Sequence, residues 1–243
     1  MEQIDYSLLD VPEILQFMFY PRADWRPPPP SATDHSWSVE DRVSLSGRFY
    51  SHDKGSPSIL FFHGNGEVAS DYDGIAPLYN QIGVNLFVAD YRGYGTSEGS
   101  PTVSSLVSDS HATLDAVEEI LKEGGYVGAL YVMGRSLGSY CAVELAAQYP
   151  SRIRGLIAES GTANVSRILS YFNLDRDPAV KELARKHREK VRSITLPLLI
   201  IHGAADSLVP IELARELYET VSSAEKRFVT IRGAGHNDVL AVG

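Results

Sequence analysis

One segment constrains this sequence more than any other: an apolar run enters Gly134-Arg-Ser-Leu-Gly138, and a second apolar stretch follows directly. Leu130 to Gly134 predicts a buried strand, and Leu137 to Tyr149 predicts a helix. Glycines two positions before and after the central Ser136 permit a sharp turn between strand and helix, which holds the serine in a strained backbone conformation. The pattern predicts a reactive serine at a helix N-terminus; an ordinary glycine-flanked turn is the alternative reading.

A serine hydroxyl is a poor nucleophile until a base accepts its proton, and a carboxylate must orient that base. His236 follows the last predicted strand on a glycine-rich loop, and it is the only one of the seven histidines so placed. Asp206 lies a few residues beyond the predicted strand 198–201 and is the favoured acid. Glu159, at the end of the preceding strand, is its rival, and helix capping is the alternative role for Asp206.

The order serine, acid, histidine along the chain predicts that Ser136, Asp206 and His236 form a catalytic triad. Attack on a carbonyl also creates an oxyanion, which needs preorganised N–H donors. The backbone amide of Leu137 is one candidate donor, since it follows the nucleophile at the turn. The amide of Asn65, in the loop after the early strand 58–63, is the second candidate.

Strands and helices alternate along most of the chain, which predicts parallel strands joined by right-handed crossovers, with helices on both faces of the sheet. Ligands then bind beyond the carboxyl ends of the strands. We therefore predict an α/β fold with a mostly parallel central sheet. The predicted strands are 42–50, 58–63, 84–91, 130–134, 155–159, 198–201 and 227–231, and the predicted helices are 67–81, 103–123, 137–149 and 211–221.

The segment at residues 1–30 differs from the rest, because a short amphipathic stretch at 11–20 leads into four consecutive prolines at 27–30. Such prolines favour extended polyproline II geometry, and we expect an N-terminal arm packed over the main domain rather than a ligand for a partner. The domain itself is predicted at 31–243. The stretch 161–193 lies between two predicted core strands along the chain and is predicted to form a short cap.

Composition narrows the possible partners. The 243 residues carry a formal net charge of −9, so no global positive field exists to gather nucleic acid. No apolar run reaches the roughly 20 residues that cross a bilayer, although contact with a membrane surface stays open. The acidic N-terminus does not resemble a secretory signal, and a single cysteine, Cys141, fits a reducing compartment. We expect a cytoplasmic protein without cofactor or metal, and the oligomeric state is left open.

Five motifs, in order along the chain, resemble the α/β-hydrolase superfamily and, within it, small serine hydrolases of the depalmitoylase-like and related bacterial groups. The resemblance covers nearly all of residues 42–240. It implies the α/β-hydrolase fold and an oxyanion donor in the loop after His63, but it says little about substrate, because one fold hosts many functions. The motifs are His63-Gly-Asn-Gly66, Asp90-Tyr-Arg-Gly-Tyr-Gly-Thr-Ser97, Gly134-Arg-Ser-Leu-Gly138, His202-Gly-Ala-Ala-Asp206 and Gly233-Ala-Gly-His-Asn-Asp238.

A serine nucleophile favours acyl transfer to water, and esters and thioesters are easier substrates than amides, whose amine is a poorer leaving group. We predict a carboxylesterase or thioesterase that acts on a small-molecule acyl substrate. An acyltransferase or perhydrolase with the same triad, or a catalytically silent binding protein, is the alternative. The expected roof of the acyl pocket is apolar, and ordinary helix packing is the competing reading for its members: Ile168, Leu169, Tyr171, Phe172, Leu208 and Val209.

Overall fold

The computed structural model describes residues 4–243, which form one eight-stranded sheet in the order β1-β2-β4-β3-β5-β6-β7-β8. Strand β2 pairs antiparallel with β1 and β4, and the other neighbours pair in parallel. The predicted fold class, α/β with a mostly parallel central sheet, is confirmed. The strands are Ala32–Glu40 (β1), Val43–Tyr50 (β2), Ser58–Phe62 (β3), Asn85–Ala89 (β4), Leu130–Arg135 (β5), Leu156–Glu159 (β6), Leu198–Gly203 (β7) and Lys226–Ile231 (β8).

Helices connect the parallel strands, and short 3-10 turns lie at Tyr6–Leu9, Ala69–Gly74 and Ser136–Gly138. The cap predicted at 161–193 contains two of the helices, α5 and α6. The α-helices of the described residues are Pro12–Met18 (α1), Ala76–Gln81 (α2), Val103–Glu123 (α3), Ser139–Gln148 (α4), Val165–Tyr171 (α5), Pro178–Arg192 (α6), Ile211–Thr220 (α7) and Val239–Val242 (α8).

The central strands are short and apolar because both faces of the sheet are covered. Along β3, Leu60 and Phe62 belong to one hydrophobic cluster, with residues of α3 and α4, while Ile59 and Phe61 belong to a second cluster beside α2. Side chains alternate between the two faces of a strand, so this division requires packed layers on both sides. The carboxyl ends of the parallel strands therefore share one edge of a buried sheet.

Two of the differences from the sequence prediction concern β1 and the segment 67–81. Strand β1 was not expected, because as an edge strand paired only with β2 it carries mostly polar, partly exposed residues. The helix predicted at 67–81 is divided into the 3-10 turn Ala69–Gly74 and the short helix α2. Pairing with β2 decides the backbone of β1. The helix divides for a local reason, since Pro77 lies in the first turn of α2 and has no backbone N–H with which to continue an earlier helix.

The N-terminal segment packs into the domain. Leu9, Ile14, Met18 and Phe19 are buried in the cluster that also contains α3 and α4. The amide of Tyr20 then donates to Asn65 Oδ1 at 2.9 Å, which brings the segment against the loop that follows β3.

A buried polar cluster connects this segment to α4 and to α6, which lies in the stretch predicted as a cap. Lys190 of α6 donates to Tyr6 and to Glu144 of α4, and Tyr6 Oη lies 2.7 Å from Nδ1 of His187. His187 Nε2 lies 2.7 Å from the carbonyl oxygen of Ala163. Burial raises the pKa of Glu144, but the hydrogen bond from His111 and the charge of Lys190 outweigh it and lower that pKa to about 2. Each buried charge of the cluster thus has a partner.

His187 predicts a specific dependence of stability on pH. Burial, together with the charge of Lys190, lowers the pKa of His187 to about 4. Between pH 4 and the unfolded pKa near 6.5, the unfolded chain binds more protons than the folded chain. The contribution of neutral His187 to stability is therefore complete above about pH 6.5 and falls toward pH 4. A shift of this size is equivalent to about 3 kcal/mol.

The His187→Gln variant keeps one donor and one acceptor but does not titrate. We expect the free energy of unfolding of the native protein to fall by about 3 kcal/mol more than that of the variant between pH 7 and pH 4. Urea unfolding at both pH values measures this difference. Parallel pH profiles for the two proteins would show that His187 titrates normally.

Candidate active site

The turn after β5 has the strained geometry that the glycine pattern predicts. Ser136 has φ 49°, a left-handed value that costs on the order of 1–3 kcal/mol for a residue with a side chain. A Cβ atom on Gly134 would lie 2.3 Å from the carbonyl oxygen of Gly138, and one on Gly138 would lie 2.0 Å from that of Phe62. Only glycine fits at both flanks, so the backbone can present Ser136 at the start of α4.

Three polar side chains from separate elements meet at this turn. His236, in the loop after β8, has Nε2 at 3.0 Å from Ser136 Oγ and Nδ1 at 2.8 Å from Asp206 Oδ2. The other carboxylate oxygen of Asp206 accepts the amides of Leu208 at 3.0 Å and Val209 at 2.8 Å. The carboxylate is buried and held from both sides, so it can fix the orientation of the imidazole.

The two candidate acids occupy different surroundings. Glu159, at the end of β6, lies 3.3 Å from Nε of Arg135, whereas Asp206 contacts His236. Burial raises the pKa of Glu159, and the positive charge of Arg135 opposes that effect. Glu159 thus forms an ion pair with Arg135, and Asp206 alone of the two contacts the imidazole.

The loop after β3 places Asn65 at the same edge. Its side-chain oxygen accepts hydrogen bonds from the Tyr20 amide at 2.9 Å and from the Tyr94 hydroxyl at 2.7 Å. Within residues 4–243, no acceptor is found for its backbone N–H, which leaves that donor available. Leu137 directly follows Ser136 in the 3-10 turn and is buried.

His63 does not join the three polar side chains. It is fully buried, with Nδ1 2.8 Å from the carbonyl oxygen of Gly64 and Nε2 3.2 Å from Asp90 Oδ1. Asp90 in turn accepts the Ala69 amide at 2.8 Å. These contacts tie the loop after β3 to the loop after β4, which is a structural role.

The residues expected to form the pocket roof differ in their exposure to solvent. Tyr171 and Leu208 are 67% and 63% exposed, whereas Leu169 is only 1% exposed and packs α5 onto the core. Ile168 and Phe172 are partly buried against the same cluster, and Val209 is half-buried. An aromatic group forms around Tyr171: its ring stacks on Phe17 of the N-terminal segment at 5.0 Å and contacts Phe172 edge-on.

Arg135 is a residue of the site that sequence reasoning did not select. Its guanidinium donates to Glu67, to the carbonyl oxygen of His236 at 3.0 Å and to Asn237 Oδ1 at 2.8 Å. Its position is the one feature that could have identified it from the sequence: a charged residue stands immediately before Ser136, between an apolar strand and an apolar helix.

Comparison with known proteins identifies the family of this chain. The model of the family described as serine aminopeptidase, S33, matches residues 54–176 and 178–239. The chain belongs to this α/β-hydrolase family. The resemblance seen in the sequence motifs is thereby confirmed, and the hydrolase class follows from membership of the family.

Relatives of this S33 hydrolase include an uncharacterized protein of Mycobacterium tuberculosis, which is 30% identical over 86% of this chain and 74% of its own length. The human alpha/beta hydrolase domain-containing protein 17B is 31% identical over 76% of this chain and 62% of its own length.

Solved structures support the fold. Est1E from Butyrivibrio proteoclasticus, in its complex with ferulic acid, is 22% identical, with a TM-score of 0.70 over 83% of this chain and 92% of that one. The Pyrococcus furiosus esterase Pf2001 is 21% identical, with a TM-score of 0.69 over 91% and 92% of the two chains. Within residues 4–243, no helix has the length and apolar character that crossing a membrane requires.

Proposed function

We propose that this S33 hydrolase cleaves carboxylic esters or thioesters through an acyl-enzyme intermediate on Ser136. His236 takes the proton of the Ser136 hydroxyl as the oxygen attacks the acyl carbonyl, and then gives that proton to the departing alcohol or thiol. Asp206 stabilises the imidazolium form. Water, activated in turn by His236, releases the acid and regenerates the hydroxyl.

One observation carries this proposal: His236 lies within hydrogen-bond distance of both Ser136 and Asp206, through its two ring nitrogens. Such an arrangement serves proton transfer from a nucleophile, and the left-handed backbone of Ser136 points to the same use. We further propose the backbone amides of Leu137 and Asn65 as donors to the oxyanion. Loss of one such donor typically costs about 10²- to 10³-fold in rate.

Turnover of a chemically graded panel tests the reaction class. Aryl esters and acyl thioesters of two to sixteen carbons are offered together with aminoacyl anilides, whose leaving group is an amine. We expect hydrolysis of the esters or thioesters and much slower cleavage of the anilides. Preferential cleavage of anilides would replace the proposal with a peptidase activity, and absence of all turnover with retained ligand binding would indicate a silent binding protein.

We also propose that the acyl chain lies between two apolar surfaces. One belongs to the predicted cap, where Tyr171 is exposed and Ile168 and Phe172 are partly buried, and the other to the loop after β7, where Leu208 is exposed and Val209 is half-buried. The cap leaves the sheet beside the reactive turn, since a Cβ atom on Gly161 would lie 1.8 Å from Ser139 Oγ. This closeness brings the start of the cap next to α4.

The Tyr171→Ala variant tests this pocket. If about 50 Å² of acyl chain packs on the ring, its loss weakens binding by about 1.3 kcal/mol, or roughly tenfold. We expect KM to rise by that factor for octanoyl esters and to stay constant for acetyl esters. Ile82→Ala, which removes an equally exposed side chain after α2, is the matched control; equal effects of the two variants would exclude the proposed pocket.

A further inference from the structure

Arg135 connects the parts of the site that are farthest apart in the sequence. Its side chain is about 10% exposed, and its hydrogen bonds go to Glu67, to the carbonyl oxygen of His236 and to Asn237 rather than to the Ser136 hydroxyl. The planar guanidinium offers several donors in a fixed geometry, so one side chain can hold several acceptors at defined positions. Here it reaches acceptors on two loops and on the end of β6.

The first contact is with the loop that carries the base. Nη2 of Arg135 donates to the backbone carbonyl oxygen of His236 at 3.0 Å and to the side chain of Asn237 at 2.8 Å. The preceding Gly233 has φ 83°, so this loop contains a residue of high conformational freedom. A charge-assisted hydrogen bond to the His236 carbonyl therefore restrains the residue whose imidazole must align with Ser136.

The second contact leads to the loop that carries the proposed oxyanion donor. Nη1 of Arg135 donates to Glu67, whose other carboxylate oxygen accepts the Gly64 amide and the Tyr72 hydroxyl, both at 2.7 Å. Gly64 immediately precedes Asn65. A Cβ atom on Gly64 would lie 2.5 Å from Arg135 Nη1, which shows how closely the guanidinium approaches this backbone.

The charges of Arg135, Glu67 and Glu159 influence one another. Burial raises the pKa of Glu67, but the positive charge of Arg135 and the hydrogen bond from Tyr72 outweigh it, so that the pKa falls below its usual value. Glu159 lies 3.3 Å from Nε on another side of the guanidinium. Removal of Arg135 would leave the buried Glu159 without its cation, and Glu67 and the loop of His236 would lose a common partner.

We propose that Arg135 is the positioning residue that aligns the His236 base and, through Glu67, the Asn65 oxyanion loop with Ser136. The inference rests on the proposed function, since it assigns these loops to acyl transfer. It predicts that Arg135 acts on the chemical step rather than on substrate binding. A misplacement of about 1 Å caused by a residue away from the reacting atoms can cost about 10²-fold in rate.

The structure also supplies a way to separate positioning from folding. A cavity of about 460 Å³ adjoins the group and is lined by Arg135, Glu67, Glu159 and Asn237, among others. In the Arg135→Ala variant, a free guanidinium ion can enter this cavity and occupy the place of the lost side chain. Ammonium carries the same charge without the planar arrangement of donors and therefore serves as the control ion.

The experiment measures kcat and KM of Arg135→Ala on the best ester of the panel, together with the rate of fluorophosphonate labelling. We expect kcat and the labelling rate to fall about 100-fold, with KM within threefold of the native value. Millimolar guanidinium chloride should restore kcat at least tenfold, and ammonium chloride should not. Arg152→Ala, which removes an arginine paired with Glu118, is the matched control and should show neither loss nor rescue.

A second variant tests the route through Glu67. Glu67→Gln should reduce kcat, and its combination with Arg135→Ala should cost much less than the product of the two single losses, because the contact between Arg135 and Glu67 is already lost in Arg135→Ala. An Arg135→Ala protein that folds and keeps the native kcat would overturn the inference while leaving the proposed function intact. A native protein that is neither labelled nor active would overturn both.

Discussion

Replacement of Ser136 by alanine lowers kcat for ester hydrolysis by about 10⁶-fold if acyl transfer proceeds as proposed. The hydroxyl is the only proposed nucleophile, and His236 has no proton to accept without it. Loss of a nucleophile in a serine triad is known to cost a factor of this order, with the residual rate due to the oxyanion donors and binding. Initial rates measured at high enzyme concentration cover this range.

The matched control is Ser139→Ala, three residues further along the chain at the start of α4. Its hydroxyl donates to the carbonyl oxygen of Gly134 at 3.3 Å and is fully buried, whereas the His236 imidazole contacts Ser136 and Asp206. We expect a loss of less than tenfold in kcat, since one long internal hydrogen bond is removed. Comparable losses in the two variants would mean that the turn needs its serines for structure and that Ser136 has no special chemical role.

The second large effect is expected at Asp206. In Asp206→Asn, the retained oxygen still accepts the Leu208 and Val209 amides, but the new NH₂ group faces Nδ1 of His236. That nitrogen must then accept rather than donate, so the imidazole adopts the wrong tautomer for taking the Ser136 proton. A change of this kind lowers kcat by about 10⁴-fold.

Glu159→Gln distinguishes the two candidate acids. Its amide oxygen still accepts from Nε of Arg135, so we expect a loss at least 100-fold smaller than that of Asp206→Asn. The reverse ranking of the two variants would assign the acid to Glu159. Both kcat values are measured with the same ester, and urea unfolding of both proteins shows whether either substitution acts through stability.

The parts of this molecule that follow from local backbone chemistry were predictable from the sequence. The helix at Val103–Glu123 was predicted with its observed bounds, because a long apolar periodicity determines it. The position of Ser136 was also predictable, because the two flanking glycines indicate the close backbone contacts that its turn requires. Parallel connectivity then brings the ends of β5, β7 and β8 to one edge.

Other features depend on contacts between distant parts of the chain and leave no local signal. Arg135 gains its role from Glu67 and from the His236 carbonyl, 68 and 101 residues away, which no spacing rule reveals. The packing of Phe17 on Tyr171 likewise joins the N-terminal segment to the cap. The apolar residues at 168–172 were predicted to form the pocket roof, with ordinary helix packing as the alternative. The sequence did not distinguish the buried Leu169 from the exposed Tyr171, because the facing surface decides which side is covered.

Labelling with a fluorophosphonate probe, followed by peptide mass mapping, tests the central claim most directly. The probe forms a covalent bond with a serine whose hydroxyl is activated by a neighbouring base. The proposed function predicts one adduct per chain, on the peptide that contains Ser136, and none in Ser136→Ala. Persistent labelling of that variant, or an adduct on another serine of the native protein, would contradict the assignment of Ser136 as the nucleophile.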